Sequence, residues 1–125
     1  MKGSSMGKGS VLVVDDDSSI IDLIQVALED EGYQVYTAVN GGALQIAHDA
    51  QPDVILLDIM MPGMDGIEVS RRLRADPATA YIPIVAMSAH SRLQATTDVM
   101  SANDRLPKPF NLDELYATID RWIAS

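Results

Sequence analysis

Carboxylates follow two short apolar runs of the sequence, and a lysine between two prolines lies near its end. These groups are Asp15 and Asp16 after residues 11–14, Asp58 after residues 54–57, and Lys108 between Pro107 and Pro109. Short apolar runs rich in Val and Ile predict strands buried on both faces of a parallel sheet. Ligand sites of open parallel sheets lie outside the carboxyl ends of the strands. Two acidic strand ends and one lysine at that edge therefore predict a pocket for a divalent cation and a phosphoryl group.

The elements that must position these groups alternate along the chain between strand and helix patterns. Predicted strands lie at residues 11–14, 33–39, 54–57, 82–87 and 105–106, and predicted helices at residues 18–31, 41–50, 67–75, 91–100 and 112–123. Five βα units with short connections predict an α/β fold, a flavodoxin-like (βα)5 three-layer sandwich. Its five-stranded parallel sheet has the order 2-1-3-4-5, which places the ends of strands one and three side by side.

Polar and special residues predict where several of these elements begin and end. Ser18 and Ser19 are expected to cap the first helix, and Asn111 the last one. Gly32 is expected to end the first helix. Pro107 is expected to end a short fifth strand at the sheet edge, and the bond from Lys108 to its following proline is a candidate cis peptide.

Length, charge and composition limit the function classes. The 125 residues suit one domain, which we expect over residues 10–125 after a flexible or tag-like tail at residues 1–9. The net charge of −9 argues against direct contact with nucleic acid. The sequence has no cysteine, which excludes thiol chemistry, and no apolar run approaches the roughly 18 residues of a membrane span. With no leader pattern at its start, the chain is expected to be cytoplasmic.

The predicted strand order brings Asp15, Asp16 and Asp58 together, where like charges repel. Magnesium would relieve that repulsion because it prefers hard oxygen ligands. Helix capping could explain one of Asp16 or Asp17, but not a cluster built from two strands. Lys108 could reach the same edge as a point charge for a phosphate oxygen. Ser88, at the end of the fourth strand, could offer its hydroxyl to the same group.

Three motifs in this order resemble the receiver domain of a two-component response regulator, of the chemotaxis-regulator type. The resemblance covers about residues 10–125. It rests on an acidic pair, a phosphoacceptor loop and a lysine motif, with Ser88 between the last two. The motifs are Val13-Val14-Asp15-Asp16, Asp58-Ile59-Met60-Met61-Pro62-Gly63-Met64-Asp65-Gly66 and Leu106-Pro107-Lys108-Pro109-Phe110.

The resemblance implies roles for the matching residues. Asp58 would accept a phosphoryl group from a phosphohistidine on a sensor histidine kinase or a histidine phosphotransfer protein. Asp16 and Asp58 would bind Mg²⁺, with Mn²⁺ as a substitute, through their carboxylates. Asp15 would bind the ion mainly through water, and Met60 through its backbone carbonyl. Ser88 and Lys108 would contact the aspartyl phosphate, and the domain would assist only its own phosphorylation and dephosphorylation.

The resemblance also implies that phosphorylation changes a surface formed by the fourth helix, the fifth strand and the fifth helix. The family has an aromatic residue three positions before the lysine, whereas this sequence has Arg105. Arg105 could act through an ion pair or could simply be a solvated surface arginine. His90 could modulate access of water to the phosphate or could be an exposed loop residue. Both interpretations of each residue remain open at this stage.

Two other functional classes share parts of the pattern. A degenerate receiver would serve only as a protein-docking module, although the intact Asp15, Asp16, Asp58, Ser88 and Lys108 argue against this. An aspartyl-phosphate phosphatase of the haloacid dehalogenase kind also uses a strand-end aspartate. It carries a second aspartate two residues later as acid and base, where this chain has Met60. As a receiver, the domain is expected to be a monomer or weak dimer that regulates a downstream protein or an output domain.

Overall fold

The computed structural model describes residues 8–39, 42–59, 66–89 and 102–123. The five strands in these ranges are β1 Ser10–Val14, β2 Gln34–Ala38, β3 Val54–Asp58, β4 Ile84–Ala89 and β5 Asp104–Lys108. The four helices in the same ranges are α1 Ser18–Asp30, α2 Gly42–Ala50, α3 Gly66–Ala75 and α4 Leu112–Ile123. The fourth predicted helix, residues 91–100, lies outside the described residues.

All five strands run parallel in one sheet of order β2-β1-β3-β4-β5, which confirms the predicted order. β1 and β3 are neighbours near the centre, with Val14 paired with Leu57. β4 lies between β3 and β5, with Asp58 paired with Met87 and Ala89 with Lys108. The carboxyl ends of β1, β3, β4 and β5 therefore meet along one edge of the sheet.

Successive residues of the central strands point to opposite faces of the sheet and enter two separate core clusters. Every residue of β3 is buried, as expected for a strand covered on both faces. One cluster joins the sheet to α2 and α3, and the other joins it to α1 and α4. The buried helical residues of the two clusters are Ala43, Ala47, Val69 and Leu73 in the first, and Ile24, Ala27, Leu28, Leu115 and Ile119 in the second. This is the predicted three-layer arrangement.

The cap of α1 differs from the prediction. Asp17, with φ −92° and ψ 106°, is the N-cap, and its Oδ1 accepts hydrogen bonds from the amides of Ser19 and Ile20 at 2.9 and 3.4 Å. Ser18 and Ser19 lie inside the helix, so the prediction that they cap it was wrong. A carboxylate one residue earlier reaches the free amides of the first turn and also favours the positive end of the helix dipole. Gly32, at φ +99°, follows the helix end as predicted.

The bounds of all five strands differ from the predicted ones, by at most one residue at either end in β1, β2 and β3 and by up to two residues in β4 and β5. β4 starts at Ile84 rather than at residue 82, because the Ile82 amide donates to Thr79 O in the preceding turn and Pro83 has no amide hydrogen. β5 continues through Pro107 to Lys108, so the prediction that Pro107 ends it was wrong. In the described sheet β5 is a terminal strand, where a missing donor can face away from the neighbouring strand.

The start of α4 agrees with the sequence. Asn111 Oδ1 accepts from the Glu114 amide at 2.8 Å, and Glu114 Oε1 accepts from the Asn111 amide at 2.9 Å. This reciprocal pair is a capping box. The peptide bond between Lys108 and Pro109 is cis, as anticipated. Within the described parts of the chain, no helix is both long and apolar enough to cross a lipid bilayer.

Candidate functional site

Three carboxylates lie together at the carboxyl edge of the sheet. One side-chain oxygen of each of Asp15, Asp16 and Asp58 lies within 4.8 Å of those of the other two. They meet because β1 and β3 are adjacent and in register. Asp15 is fully buried and Asp58 is 4% exposed, whereas Asp16 is open to solvent. Like charges this close repel one another unless a cation lies among them.

The ammonium of Lys108 lies beside two of these carboxylates. Its Nζ is 2.9 Å from Asp15 Oδ2 and 3.6 Å from Asp58 Oδ1. Burial alone would lower the pKa of Lys108. The hydrogen bond to Asp15 and the charges of Asp58 and Asp15 outweigh that effect and raise the pKa above its ordinary value. Lys108 therefore holds its positive charge at the site throughout the neutral range.

Asp15 is held by the protein through both of its oxygens. Oδ1 accepts from the Asp17 amide at 2.9 Å, and Oδ2 accepts from Lys108. Asp16, which is open to solvent, is therefore better placed than Asp15 to offer an oxygen to a bound ion. The side chain of Asp17 caps α1, the role that the sequence allowed for one of Asp16 or Asp17. Its backbone amide also orients Asp15, a contact for which the sequence carries no signal because every residue except proline has this donor.

Ser88 lies on the same edge of the sheet, on β4. It is 3% exposed and follows Met87, the residue paired with Asp58. On its other side it pairs with Pro107, the residue before Lys108. The register therefore places Ser88 between the strand that carries Asp58 and the strand that carries Lys108.

The start of α3 returns to the end of β3. The Gly66 amide donates to Ile59 O at 3.0 Å, and Gly66 is buried against the backbone of Asp58 and Ile59. In the sequence, Gly66 is part of the phosphoacceptor-loop motif, and no separate role was predicted for it. Nothing in the local sequence distinguishes a glycine needed for close approach from one that merely begins a helix.

The remaining predicted site residues are placed only in part. Met60 and His90 lie outside the described residues. Arg105 is exposed on β5, and its backbone amide donates to Asp104 Oδ1 at 2.8 Å. Its guanidinium forms no ion pair with residues 8–39, 42–59, 66–89 or 102–123. Within those ranges, the interpretation of Arg105 as a solvated surface residue fits better than an ion-paired one.

The donor set fits Mg²⁺. The ion takes hard oxygen ligands, is usually bound through one or two carboxylates and keeps several waters. Asp58 and the exposed Asp16 can supply two such carboxylates, and the open side of Asp16 leaves room for water. Three carboxylates and one ammonium carry a net charge of −2, which a divalent cation neutralises. Carboxylate oxygens also suit Mn²⁺.

An apolar groove adjoins the charged cluster. It encloses about 350 Å³ between α1 and the segment that follows β5. Leu23 is 49% exposed on its rim, and Lys108 forms its end nearest the carboxylates. Its lining consists of Ile20, Leu23, Lys108, Pro109 and Phe110.

The amino-acid sequence of this chain is similar to those of known proteins. The sequence model of the response regulator receiver domain matches residues 11–120. The DNA-binding dual master transcriptional regulator RpaA of Synechocystis sp. is 41% identical over 112 residues. That alignment covers 87% of this chain and 46% of RpaA, so the chain spans less than half the length of this relative.

Two of the similar solved structures agree with this chain over nearly their whole length. The chemotaxis protein CheY4 of Vibrio cholerae has a TM-score of 0.84 and 34% identity, covering 90% of this chain and 97% of that one. The receiver domain of the sensor histidine kinase PA1611 from Pseudomonas aeruginosa PAO1 also has a TM-score of 0.84, with 31% identity, covering 94% and 98%. That structure has a magnesium ion coordinated in its active site cleft.

Proposed function

Because the chain belongs to the family of response regulator receiver domains, we propose that it is a phosphorylation-controlled switch of a two-component system or phosphorelay. Asp58 is the phosphoacceptor. The observation that carries the proposal is the cluster of Asp15, Asp16 and Asp58 with Lys108 Nζ 2.9 Å from Asp15 and 3.6 Å from Asp58. Receiver domains take phosphate from histidine kinases, so the donor is a phosphohistidine on a sensor kinase or a histidine phosphotransfer protein.

The proposed reaction is an in-line displacement at phosphorus. A carboxylate oxygen of Asp58 attacks the phosphorus atom, a new oxygen–phosphorus bond forms, and the phosphorus–nitrogen bond of the phosphohistidine breaks. The electron pair of that bond stays on the imidazole nitrogen, which takes up a proton. Water later attacks the phosphorus of the acyl phosphate, releasing inorganic phosphate and restoring the Asp58 carboxylate.

Each neighbouring residue has a distinct part in this proposal. Asp16 and Asp58 would hold Mg²⁺, or Mn²⁺ in its place, directly, Asp15 would hold it mainly through water, and Met60 would add its backbone carbonyl. When bound, the ion would supply positive charge to the phosphoryl oxygens. Lys108 supplies a second positive charge 3.6 Å from Asp58 Oδ1, already in place before the donor arrives.

Signal output is proposed to follow from the new charge on Asp58. A phosphoryl group at this edge offers acceptor oxygens to the Ser88 hydroxyl and the Lys108 ammonium. Lys108 lies on β5, which belongs to the proposed output surface of the fourth predicted helix, β5 and α4. His90 would modulate access of water. Arg105, where the family has an aromatic residue, would take part in output as a surface residue of β5.

The wider assignments are also proposals. The receiver unit spans residues 10–125, which is supported by the family match from residue 11 and by the start of β1 at Ser10. Residues 1–9 precede this unit, and the last two of them, Lys8 and Gly9, contact it through hydrogen bonds from the Lys8 amide to Gly32 O and from the Gln34 amide to Gly9 O. The domain works in the cytoplasm as a monomer or weak dimer and regulates a downstream protein or an output domain, without touching nucleic acid or membrane itself.

Intact mass after incubation with Mg²⁺ and acetyl phosphate tests the proposal. We expect a transient gain of one phosphoryl group in the wild type and none in Asp58→Asn. Asp22→Asn, which removes an exposed carboxylate of α1 outside the cluster, should gain the group as the wild type does.

Two other outcomes would each favour a different function. A wild-type protein that never gains the group is a docking module built on a receiver fold. Steady release of phosphate over many turnovers indicates a phosphatase, a result that would contradict the view of this family as a generally non-enzymatic signalling module.

A further inference from the structure

We propose that Gly66 is a positioning residue for Asp58, and that its missing side chain sets where the acceptor carboxylate lies. The inference rests on the proposed function, because it concerns the same site. It assigns to Gly66 a part in the phosphorylation reaction, although Gly66 has no side chain that could contact the phosphoryl group.

The evidence is the closeness of α3 to the end of β3. A Cβ atom added to Gly66 would lie 2.3 Å from Asp58 O, 2.7 Å from the Cα of Ile59 and 3.0 Å from the carbonyl carbon of Asp58. All three are backbone atoms, so no side chain can rotate away to make room. The hydrogen bond from the Gly66 amide to Ile59 O, at 3.0 Å, holds the two segments at this separation.

The requirement for glycine is one of space rather than of backbone conformation. Gly9 and Gly32 are the glycines with positive φ among the described residues, and Gly66 does not share that feature. Any L-residue could therefore adopt the backbone angles of Gly66. What it could not do is place a Cβ in the gap between α3 and Asp58.

The consequence for the site follows from the size of the clash. Carbon and oxygen atoms in contact are separated by about 3.3 Å or more, so a Cβ at 2.3 Å requires a movement of about 1 Å. Either the backbone of Asp58 and Ile59 or the start of α3 would have to move. Both flank residue 60, whose carbonyl is the proposed backbone ligand of the ion. A displacement of about 1 Å at a reacting group can slow a reaction about 100-fold.

Gly66→Ala tests the proposal, and Gly42→Ala is its matched control. Both glycines are the first residue of a helix, α3 and α2, and both variants add one methyl group. A Cβ at Gly42 meets no atom within 4 Å. Each variant is first checked for native circular dichroism and a cooperative melt. The rate constant for phosphorylation by acetyl phosphate is then measured against donor concentration, and the Mg²⁺ dissociation constant by calorimetry.

We expect Gly66→Ala to lower the limiting rate constant about 100-fold and to weaken Mg²⁺ binding about 10-fold or more, while Gly42→Ala keeps the wild-type values. A merely structural glycine would lower the melting temperature but leave both values unchanged at temperatures where the variant is folded. That result overturns the proposal. If the wild type itself takes up no phosphate, the proposed function fails, and the Mg²⁺ constants alone decide the role of Gly66.

A measurement on the wild type covers the case in which Gly66→Ala does not fold. The amide signals of Gly66 and Gly42 are followed by NMR during titration with MgCl₂. We expect the Gly66 signal to shift as the ion binds, because its hydrogen bond to Ile59 O connects it to the ligand-bearing segment, and the Gly42 signal to stay. A Gly66 signal that does not move while the site fills shows that the residue is not coupled to the site.

Discussion

At the scale of single residues, the contact between Asp15 and Lys108 links the stability of the fold to the chemistry of the site. Asp15 is fully buried, and a buried carboxylate is unfavourable unless donors surround it. It receives one hydrogen bond from the Asp17 amide and one from Lys108. The lysine therefore stabilises the folded domain by its contact with Asp15, and it is also positioned for the chemistry by its nearness to Asp58.

Lys108→Met should lower the free energy of unfolding by about 1–3 kcal/mol in the absence of Mg²⁺, because it leaves a buried acceptor of Asp15 without its donor. Lys8→Met is the control, since Lys8 pairs with Glu31 at 3.7 Å on the surface, where such pairs contribute about 1 kcal/mol or less. Urea denaturation of the three proteins measures both changes. Equal losses in the two variants would show that Asp15 does not depend on the lysine.

The same contact has a defined dependence on pH. The pKa of Lys108 is raised in the folded protein. The stability that its charge contributes is therefore fully present below the unfolded pKa of about 10.4, and it is lost as the pH rises through the folded pKa. The difference in stability between the wild type and Lys108→Met should therefore be constant from neutral to mildly alkaline pH and shrink only in strong alkali. A difference that already shrinks near pH 7 contradicts the assigned direction.

At the scale of elements, Asp104 joins the start of β5 to the end of α4. Its Oδ2 accepts from Trp122 Nε1 at 2.8 Å and from Arg121, and its Oδ1 accepts from the Arg105 amide at 2.8 Å. Burial alone would raise the pKa of Asp104, but the donors from Trp122, Arg105 and Arg121 outweigh it and lower the pKa below 3.8. Trp122 therefore connects the end of α4 to the start of β5, the strand that carries Arg105.

Asp104→Asn should lower the free energy of unfolding at pH 7 by about 1–2 kcal/mol, because it removes the charge from three hydrogen bonds. The pKa of Asp104 is lowered in the folded protein. The stability that its carboxylate contributes is therefore present above the unfolded pKa and is lost as the pH falls through the folded pKa. The difference in the free energy of unfolding between the wild type and Asp104→Asn should therefore decrease below about pH 4. Fluorescence of Trp122, the one tryptophan of the sequence, reports the unfolding directly.

Asp22→Asn is the control for this variant, because Asp22 is an exposed carboxylate of α1. It should leave the free energy of unfolding at pH 7 unchanged. If Asp104→Asn behaves like Asp22→Asn, Asp104 does not hold β5 to α4.

At the scale of the whole molecule, the chain has an excess of negative charge and its candidate site is itself acidic. The net charge is −9, and three carboxylates crowd one end of the sheet. Self-repulsion of this kind destabilises the folded state and is relieved by any salt, whereas ion binding at a defined site is not a general salt effect. The two contributions can be separated by comparing ions at equal ionic strength.

Mg²⁺ should raise the melting temperature more than NaCl of matched ionic strength. At a concentration 100 times its dissociation constant, a ligand specific for the folded state adds about 2.7 kcal/mol. Asp16→Asn should lose most of this specific gain and keep the response to NaCl, and Asp22→Asn should keep both. Differential scanning fluorimetry, with EDTA as the metal-free reference, measures each response. Identical curves for the two salts would mean that the carboxylates bind no specific ion.

Much of the architecture could be predicted because its causes are local. The apolar run of β3 and the capping pair of Asn111 and Glu114 specify their elements through periodicity and short-range hydrogen bonds. The errors lie at the ends of elements, where two local hydrogen-bonding patterns compete and the residue types favour neither strongly. β4 starts two residues late because the Ile82 amide is taken by a turn, and Asp17 rather than Ser18 caps α1.

The sequence by itself determined the chemistry of the site. Residue types at strand ends, together with the strand order that short βα connections impose, placed Asp15, Asp16 and Asp58 at one edge with Lys108 in reach. The tertiary structure alone decided which contacts hold them there: Lys108 against both Asp15 and Asp58, and Gly66 against the backbone of Asp58. The reason is physical. Periodicity and propensity act over a few residues, whereas the separation of two backbones or two charges far apart in the chain depends on how the whole fold packs.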